Sequence, residues 1–435
     1  MKQFLRIALI SEHASPLAVA GGVDAGGQNV YVDQVARCLA EAGHQVDVLT
    51  RRDARGLPAV SKPHPGVRVL HVRAGPARFV PKEALLAHMP QFRQECERLL
   101  QQGPLPDIVH ANFFMSGLVA HQLRQALDIP YVVTFHALGL VRRMHQAQAD
   151  AFPDERIDIE RMLACEADAV IAECPQDEDD LALLYGAPAS RVRRVPCGFD
   201  AQEFGPMDRR LARTRLGLDP DEFVILQLGR MVPRKGVDNV IRALSWLPRG
   251  MRARLLVVGG DSPEPDERLT PEIARLRQVA RECGVADQVT FVGHRRRHQL
   301  RPYYAAANVF ATTPWYEPFG ITPLEAMACA IPVVASAVGG LKHTVMDGAT
   351  GCLVPAHEPQ ALAHALAYLH DHPQVAAAMG RAGLHRARSL FTWERVSELL
   401  QGVYQEVITA RQDAAGLPIP VPAWPQAQPA SVMAL

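Results

Sequence analysis

Three clusters of residues in this 435-residue chain have the types and spacing to do chemistry. In Glu317-Pro318-Phe319-Gly320-Ile321-Thr322-Pro323-Leu324-Glu325, seven residues separate two glutamates. Carboxylates accept hydrogen bonds from hydroxyl groups, so Glu317 could accept those of a sugar. Thr322–Glu325 also reads as a capping box with Pro323 at the first helical position, which gives Glu325 a purely structural alternative. Glu317, beside Trp315, Tyr316 and Phe319, has none so simple. The second cluster is Gly229–Gly236, where four residues separate Arg230 from Lys235 and Pro233 stiffens the loop. Two cations there suit a diphosphate, and arginine can bind two oxygens at once. The alternative is a solvated charge run. The third is Gly21–Asn29 (GGVDAGGQN), opening a helix after the first strand. Glycines let backbone approach a ligand and a helix N-terminus favours an anion, although a plain flexible turn has the same composition. Its spacing is G-x-x-x-G-G, not the dinucleotide fingerprint G-x-G-x-x-G. The second strand ends in Thr50-Arg51-Arg52, with no acid to hold a ribose, so an NAD(P) reading ranks low even though either arginine suits a 2′-phosphate.

Other titratable residues stand more alone. His136 closes a strand, where a lone histidine is more often a satisfied hydrogen-bonding residue than a catalyst. His110, His145 and His343 sit in no motif. His294 and His298 flank Arg295–Arg297, whose charge would repel a metal cation. Asp177-Glu178-Asp179-Asp180 contains a D-x-D suited to Mg²⁺ or Mn²⁺. It follows Pro175-Gln176 and precedes Leu181 and Leu184, so an acidic first helical turn reads better.

Strand and helix patterns alternate around these clusters. Strands are expected at Leu5–Ile10, Gln45–Thr50, Val67–Val72, Asp107–His110, Tyr131–Phe135 and Ala169–Ala172. The series restarts at Phe223–Leu228 and continues through Leu255–Val258, Val289–Val292, Val309–Ala311 and Pro332–Ala335. Gln28–Ala42 carries Tyr31, Val35 and Leu39 on one helical face. Such alternation implies parallel sheets covered on both faces, hence two doubly wound α/β halves, with ligands outside the carboxyl ends of the strands. The expected division is 1–205, 206–390, a helix over 391–416, and a proline-rich tail over 417–435 without regular structure.

Composition narrows the function classes. Lys+Arg and Asp+Glu are both 46, so the zero net charge argues against a broad polyanion surface and a nucleic-acid binder. The eight cysteines show no C-x-x-C spacing, which argues against a zinc ribbon or redox motif and fits a reducing cytosol. Met1–Ile10 is too short and strand-like for a signal peptide. The most apolar long stretch, Leu324–Leu341, is interrupted by Glu325 and Pro332 and makes a poor membrane span. The expected location is the cytosol.

Taken together, Gly22–Asn29, Thr134-Phe135-His136, Pro196–Asp200, Gly229-Arg230 with Lys235, the E-x7-E run, Gly339-Gly340 and Asp347–Gly351 resemble the retaining glycosyltransferases of family 4. The resemblance implies the GT-B fold, two Rossmann-like domains facing across a cleft. It implies that Arg230 and Lys235 hold a nucleotide-sugar diphosphate with help from the Gly26 and Gly27 backbone, and that Glu325 holds the ribose. Glu317 and the Phe319-Gly320 backbone, with Ile321 and Thr322 adjoining, would hold the donor sugar, and His136 would lie at the reaction centre. No metal and no cofactor is implied, since Arg and Lys offset the leaving-group charge. Front-face transfer with retention follows, in preference to a two-carboxylate double displacement.

Within the family, Gly22–Asn29 with Thr134–Leu138 is similar to the sucrose-phosphate synthase and sucrose synthase branch, and to the enzyme that glycosylates inositol phosphate. Lys82 and Arg156 match positions that hold the acceptor phosphate there, Arg142 matches a further lysine, and Gln28 and Asn29 belong to the acceptor side. Exposed surface charge is the alternative for the three cations. Phe113, Ala137 and Lys342-His343 depart from the family pattern. The expected reaction moves a hexose, glucose first, from a nucleotide sugar, UDP-glucose first, to a sugar, sugar phosphate or polyol phosphate. One alternative is a lipid-linked glycan acceptor at a membrane face, for which Pro76–Phe92 is a weakly charged candidate patch. Another is a nucleotide-sugar binder without turnover, which would be expected to have lost Glu317, His136 or Lys235.

Overall fold

The computed structural model describes residues 4–18, 26–146 and 150–416. Residues 21–25 of the glycine-rich run and the 417–435 tail lie outside the described residues. The first sheet contains β1 (Arg6–Ile10), β2 (Gln45–Arg51), β3 (Val60–Ser61), β4 (Val67–Val72), β5 (Ile108–Asn112), β6 (Tyr131–Thr134), β7 (Ala169–Ala172) and β8 (Val192–Arg194). Their order is β3-β4-β2-β1-β5-β6-β7-β8, and only the β3–β4 pair is antiparallel. The second sheet contains β9 (Phe223–Leu228), β10 (Ala253–Val258), β11 (Val289–Gly293), β12 (Val309–Thr312), β13 (Val333–Ser336) and β14 (Gly351–Val354). It is parallel throughout, in the order β11-β10-β9-β12-β13-β14.

The strand sequences explain this arrangement. Phe223-Val224-Ile225-Leu226-Gln227-Leu228 is buried along its whole length, because helices cover both faces of a parallel sheet. The helix Gly27–Glu41 presents Tyr31, Val35 and Leu39 to the core, the face expected from their spacing. In each sheet the strand order reverses beside the first strand: β1 lies between β2 and β5, and β9 between β10 and β12. Loops leaving a sheet at such a reversal form a ready crevice. Here the loops after β1 and β9 face one another across the same cleft.

The chain then returns to its first half. The helix Pro373–Leu390 stays with the second domain, where Gly380 abuts the Ala330 carbonyl. Phe199 N donates to Phe391 O at 2.8 Å, and the helix Trp393–Gly416 lies against the first domain. Trp393 is fully buried with its ring edge-on to Tyr31, and the Tyr404 hydroxyl lies 2.6 Å from His110 Nδ1. Both domains are therefore tied at their bases while the cleft between them stays open to ligand.

Candidate active site

One wall of the cleft is built after β9. Pro233–Lys235 forms a single 3-10 turn that aims Lys235 Nζ at the Glu317 carboxylate, with which it pairs. Arg230 and Arg234 line the same cavity, and the Arg234 guanidinium sits 5.1 Å above the Tyr316 ring. Three cations thus surround one carboxylate. Burial by itself raises the Glu317 carboxyl, yet Lys235, Arg234 and Arg230 outweigh it and hold the group below its ordinary value. Lys235 is pushed down to about 8, first by burial and then by Arg234 and Arg230, with Glu317 opposing. The lowered Glu317 carboxyl reports the excess of positive charge around it, whereas the lowered Lys235 ammonium reports its burial first. A site with that field attracts an anion.

Glu317 is seated by the late glycine pair. Gly340 N donates to Glu317 O at 2.9 Å, and Gly339 has a φ of +46°. A Cβ on either glycine would strike the backbone of the Glu317–Phe319 segment, so only glycine lets the two loops close on each other. The next helix runs Ile321–Ala328 with Gly320 as its N-cap. This corrects the capping-box expectation for Thr322–Glu325. Because the helix starts at Ile321, Thr322 already lies inside the first turn and Glu325 falls too far along to reach back. Its carboxylate instead accepts from Arg297 Nη1 at 2.8 Å and from the Tyr304 hydroxyl at 2.8 Å. Arg297 also pairs with Glu203 from the interdomain link and lies 4.9 Å over Phe204. Burial raises the Glu325 carboxyl above its ordinary value, with Arg297 opposing.

The opposite wall belongs to the first domain. His136, just beyond β6, has a φ of +58°, a left-handed conformation uncommon outside glycine and found disproportionately at functional sites. Its Nδ1 lies 3.1 Å from Glu173 Oε1 and its Nε2 3.0 Å from Asn112 Oδ1. Asn112 Nδ2 donates to the Ile10 and His110 carbonyls, both at 3.3 Å, which turns its oxygen toward His136. Glu173 Oε1 also accepts from Cys197 Sγ at 2.9 Å. The loop after β1 completes the wall. Gly26 N donates to Asn29 Oδ1 at 2.9 Å, Asn29 Nδ2 donates to Ser15 O at 3.0 Å, and Gln28 Nε2 reaches Ser11 Oγ and Asn112 O, each at 3.2 Å. These amides brace the glycine turn. A Cβ added at Gly26 would lie 3.4 Å from Arg230 Nε, and one at Gly27 would lie 3.5 Å from Ile321 Cδ1, so the two walls approach closely here.

The structure therefore brings Gly26, Gly27, Gln28, Asn29 and His136 to one cavity of about 310 Å³. Arg230, Lys235 and Glu317 share it, as do Phe319, Gly320, Ile321, Thr322 and Glu325. Lys82 and Arg142 line its first-domain side, where Arg142 Nε donates to Asp150 Oδ1 at 2.7 Å. Arg156 does not join them. It is fully buried, donates from Nε to Glu160 Oε1 at 2.7 Å and from Nη2 to Ala137 O at 2.5 Å, and lies within about 5 Å of the Phe113, Phe114 and Phe152 ring centres. The acceptor-phosphate expectation for Arg156 is thus corrected, because the enclosing aromatic rings seal it from the cleft. Asp177 lies in the first turn of the helix Pro175–Tyr185 and accepts from Glu173 N at 2.9 Å, and burial, then Glu173, raises it to about 8. Arg51 spends its guanidinium on the Ala74, Pro76 and Arg78 carbonyls. His110 is a core residue, pushed down to about 3 by burial and then by His136. Among the described residues no group of three His, Cys, Asp or Glu is placed to hold a metal, and no helix is long and apolar enough to cross a membrane.

Sequence reasoning missed Glu173, Asn112, Arg234, Arg297 and Tyr304. Arg234 is signalled by its place beside Lys235, but the others lie on separate strands and helices with no motif of their own.

Comparison with known proteins agrees with this geometry. The family model described as Glycosyltransferase Family 4 matches residues 25–203, and Glycosyl transferases group 1 matches residues 208–386. The chain is 39% identical to a D-inositol 3-phosphate glycosyltransferase of Acidothermus cellulolyticus, over 94% of this chain and 92% of that protein. It is 38% identical to a protein of the same name from Actinosynnema mirum, covering 92% and 96% respectively. The sucrose-phosphate synthase of Thermosynechococcus elongatus superposes with a TM-score of 0.86 at 36% identity, over 93% of this chain and 100% of that one. HepE from Anabaena, solved with UDP and glucose, shares the fold alone, with a TM-score of 0.71 at 20% identity, covering 92% and 100%. With two facing doubly wound domains, both family models matched in order and relatives this similar along nearly all of its length, the chain belongs to glycosyltransferase family 4, as an enzyme of the GT-B fold.

Proposed function

We propose that this chain transfers a hexose, glucose first, from a nucleoside diphosphate sugar to a phosphorylated polyol or sugar, with retention at the anomeric carbon. One observation carries the reading: the Lys235–Glu317 pair with Arg230 and Arg234 faces His136, in a cleft that also takes in Lys82 and Arg142. Arg230 and Lys235 offset the charge that develops on the departing diphosphate. Glu317 and the Phe319-Gly320 backbone hold the hexose hydroxyls, Glu325 holds the ribose, and the glycine turn at Gly26 and Gly27, which lies against Arg230 and Ile321, lets backbone come close to the phosphates. The bond between the anomeric carbon and the diphosphate oxygen breaks and the acceptor oxygen takes its place. The acceptor proton leaves with the diphosphate, on the same face of the sugar. No metal is needed in this scheme. The relatives' names favour an inositol phosphate as acceptor. A second reading, UDP-glucose with a sugar-phosphate acceptor in sucrose synthesis, draws on the sucrose-phosphate synthase superposition. The unpaired cysteines support a cytosolic setting.

The test is a panel of UDP-, ADP- and GDP-hexoses with phosphorylated and unphosphorylated acceptors, with and without EDTA, read by mass spectrometry and by the anomeric coupling constant of the product. The expected result is an α-linked product on a phosphorylated acceptor, equally fast with EDTA. Inversion, a metal requirement, or preference for an unphosphorylated acceptor would each contradict the reading. Lys82→Ala and Arg142→Ala should each raise KM for the phosphorylated acceptor about tenfold, as loss of one charge-assisted contact does, with donor KM unchanged.

The Lys235 ammonium sets a pH limb. Since its pKa lies near 8 in the folded protein, kcat/KM for donor should fall as pH rises through that value and the cation is lost. Lys235→Arg should abolish the limb. The stability term has the opposite sign. Between about 8 and 10.5 the unfolded chain keeps a proton that the folded chain has released, so this group's contribution to stability rises with pH over that window. A donor kcat/KM that stays flat to pH 9.5 would remove Lys235 from the phosphate site.

A further inference from the structure

The loop that carries His136 is gripped from behind by a buried ion pair. Arg156 and Glu160 sit one turn apart on the helix Glu155–Glu166, and both are fully buried. Arg156 Nη2 donates to the carbonyl of Ala137, the residue immediately after His136. Glu160 Oε2 accepts from Gly139 N at 2.8 Å, while Glu160 Oε1 accepts from Arg156 Nε. Tyr185 adds a third hold: its hydroxyl donates to Glu160 Oε2 at 2.6 Å and accepts from Leu140 N at 2.7 Å. Backbone groups of residues 137, 139 and 140 are thus fixed by one buried network, next to a histidine held in a left-handed conformation. A buried ion pair is weak evidence for stability, since apolar residues of like volume often serve as well, and its best-attested use is to select one conformation. Here the conformation selected is the one that turns the His136 ring into the cleft.

We propose that Arg156 and Glu160 are a positioning pair that sets His136 for the transfer step, and that discrimination for the acceptor phosphate falls to Lys82 and Arg142. Phe113, Phe114 and Phe152 pack around the Arg156 guanidinium and keep it from solvent and from the cleft. Its remaining Nη1 has no hydrogen-bond partner in the structure, a cost that the bonds to Ala137 O and Glu160 must offset. This inference rests on the transferase reading above but makes a separate forecast about rate and affinity.

The experiment compares Arg156→Lys, Glu160→Gln and the milder Tyr185→Phe with the wild type in steady-state kinetics, using an acceptor that the wild type glucosylates, with its unphosphorylated analogue alongside. The ring ¹⁵N shifts of labelled His136 are recorded on each protein. Misplacing a reacting group by about 1 Å costs on the order of a hundredfold. Arg156→Lys and Glu160→Gln should therefore lower kcat by about tenfold to a hundredfold. Acceptor KM and the preference for a phosphorylated over an unphosphorylated acceptor should stay within about twofold, and His136 ring shifts should move in both variants. Tyr185→Phe should show the same pattern at smaller amplitude and keeps the test alive if the charge variants fail to fold. A tenfold rise in acceptor KM for Arg156→Lys, with kcat, Glu160→Gln and the His136 shifts all unchanged, would return Arg156 to the acceptor site and overturn the proposal. A wild-type enzyme that shows no preference for phosphorylated acceptors would instead count against the proposed function, leaving the kcat and ring-shift readouts to judge the positioning pair.

Discussion

Lys235→Ala is expected to lower kcat by about two to three decades, the cost of removing one preorganised group that stabilises transition-state charge. The ammonium pairs with the Glu317 carboxylate, and Arg230 and Arg234 place it within a cationic field. In the proposed reaction, losing it strips charge from the point where the diphosphate departs. Folding should survive, because Arg234 and Arg230 continue to offset the buried Glu317 carboxylate. Single-turnover rates with a nucleotide hexose, set beside thermal denaturation, separate the two effects. Lys235→Arg should recover part of the rate, since it keeps the charge in a different shape. Wild-type rates in Lys235→Ala would show that the ammonium serves only the ion pair.

Glu325→Gln should weaken nucleoside diphosphate binding by about tenfold to a hundredfold, consistent with loss of charged hydrogen bonds worth about 1.5–3 kcal/mol. The carboxylate is anchored by Arg297 on one oxygen and Tyr304 on the other, and each oxygen retains a lone pair for a ribose hydroxyl. A glutamine amide keeps one acceptor and surrenders the other. Arg297 retains Glu203, so the buried cation is not orphaned. Isothermal titration and a melting curve test both halves of the forecast. A lower melting temperature with unchanged nucleotide affinity would make Glu325 a strut between Arg297 and Tyr304 and nothing more.

The strands of both cores were plain in the sequence because fully buried parallel strands are short, near-continuous apolar runs. Val67–Val72, Ala169–Ala172 and Phe223–Leu228 fall where those runs fall, and the other expected strands shift by one or two residues. The strands that escaped notice lack that signature: β3 has two residues, β8 carries Arg193 and Arg194, and β14 follows directly on the Asp347–Thr350 turn. Glu317, Arg230 and Lys235 were legible because a loop leaving a strand at a sheet reversal concentrates its chemistry in a few consecutive residues. Glu325 was legible as a ribose-holding candidate with a helix cap as its alternative, but nothing local reveals that Arg297 and Tyr304, from distant elements, claim its carboxylate. Arg156 fails for the same reason. Three phenylalanines from two separate stretches enclose it, and burial of that kind leaves no trace in the spacing of any one segment. Glu173 and Asn112 reach His136 from neighbouring strand ends, so only the sheet order reveals them.

The chemistry proposed for this cleft depends on a leaving diphosphate meeting side-chain cations at the mouth of the second sheet. The most direct measurement is a crystal structure of the full chain soaked with UDP-glucose in the presence of EDTA. The account predicts phosphate oxygens within about 3.2 Å of Lys235 Nζ and the Arg230 guanidinium, ribose hydroxyls on Glu325, and the hexose between Glu317 and His136. A nucleotide seated elsewhere, or bound here with Lys235 and Arg230 turned away from its phosphates, would contradict it.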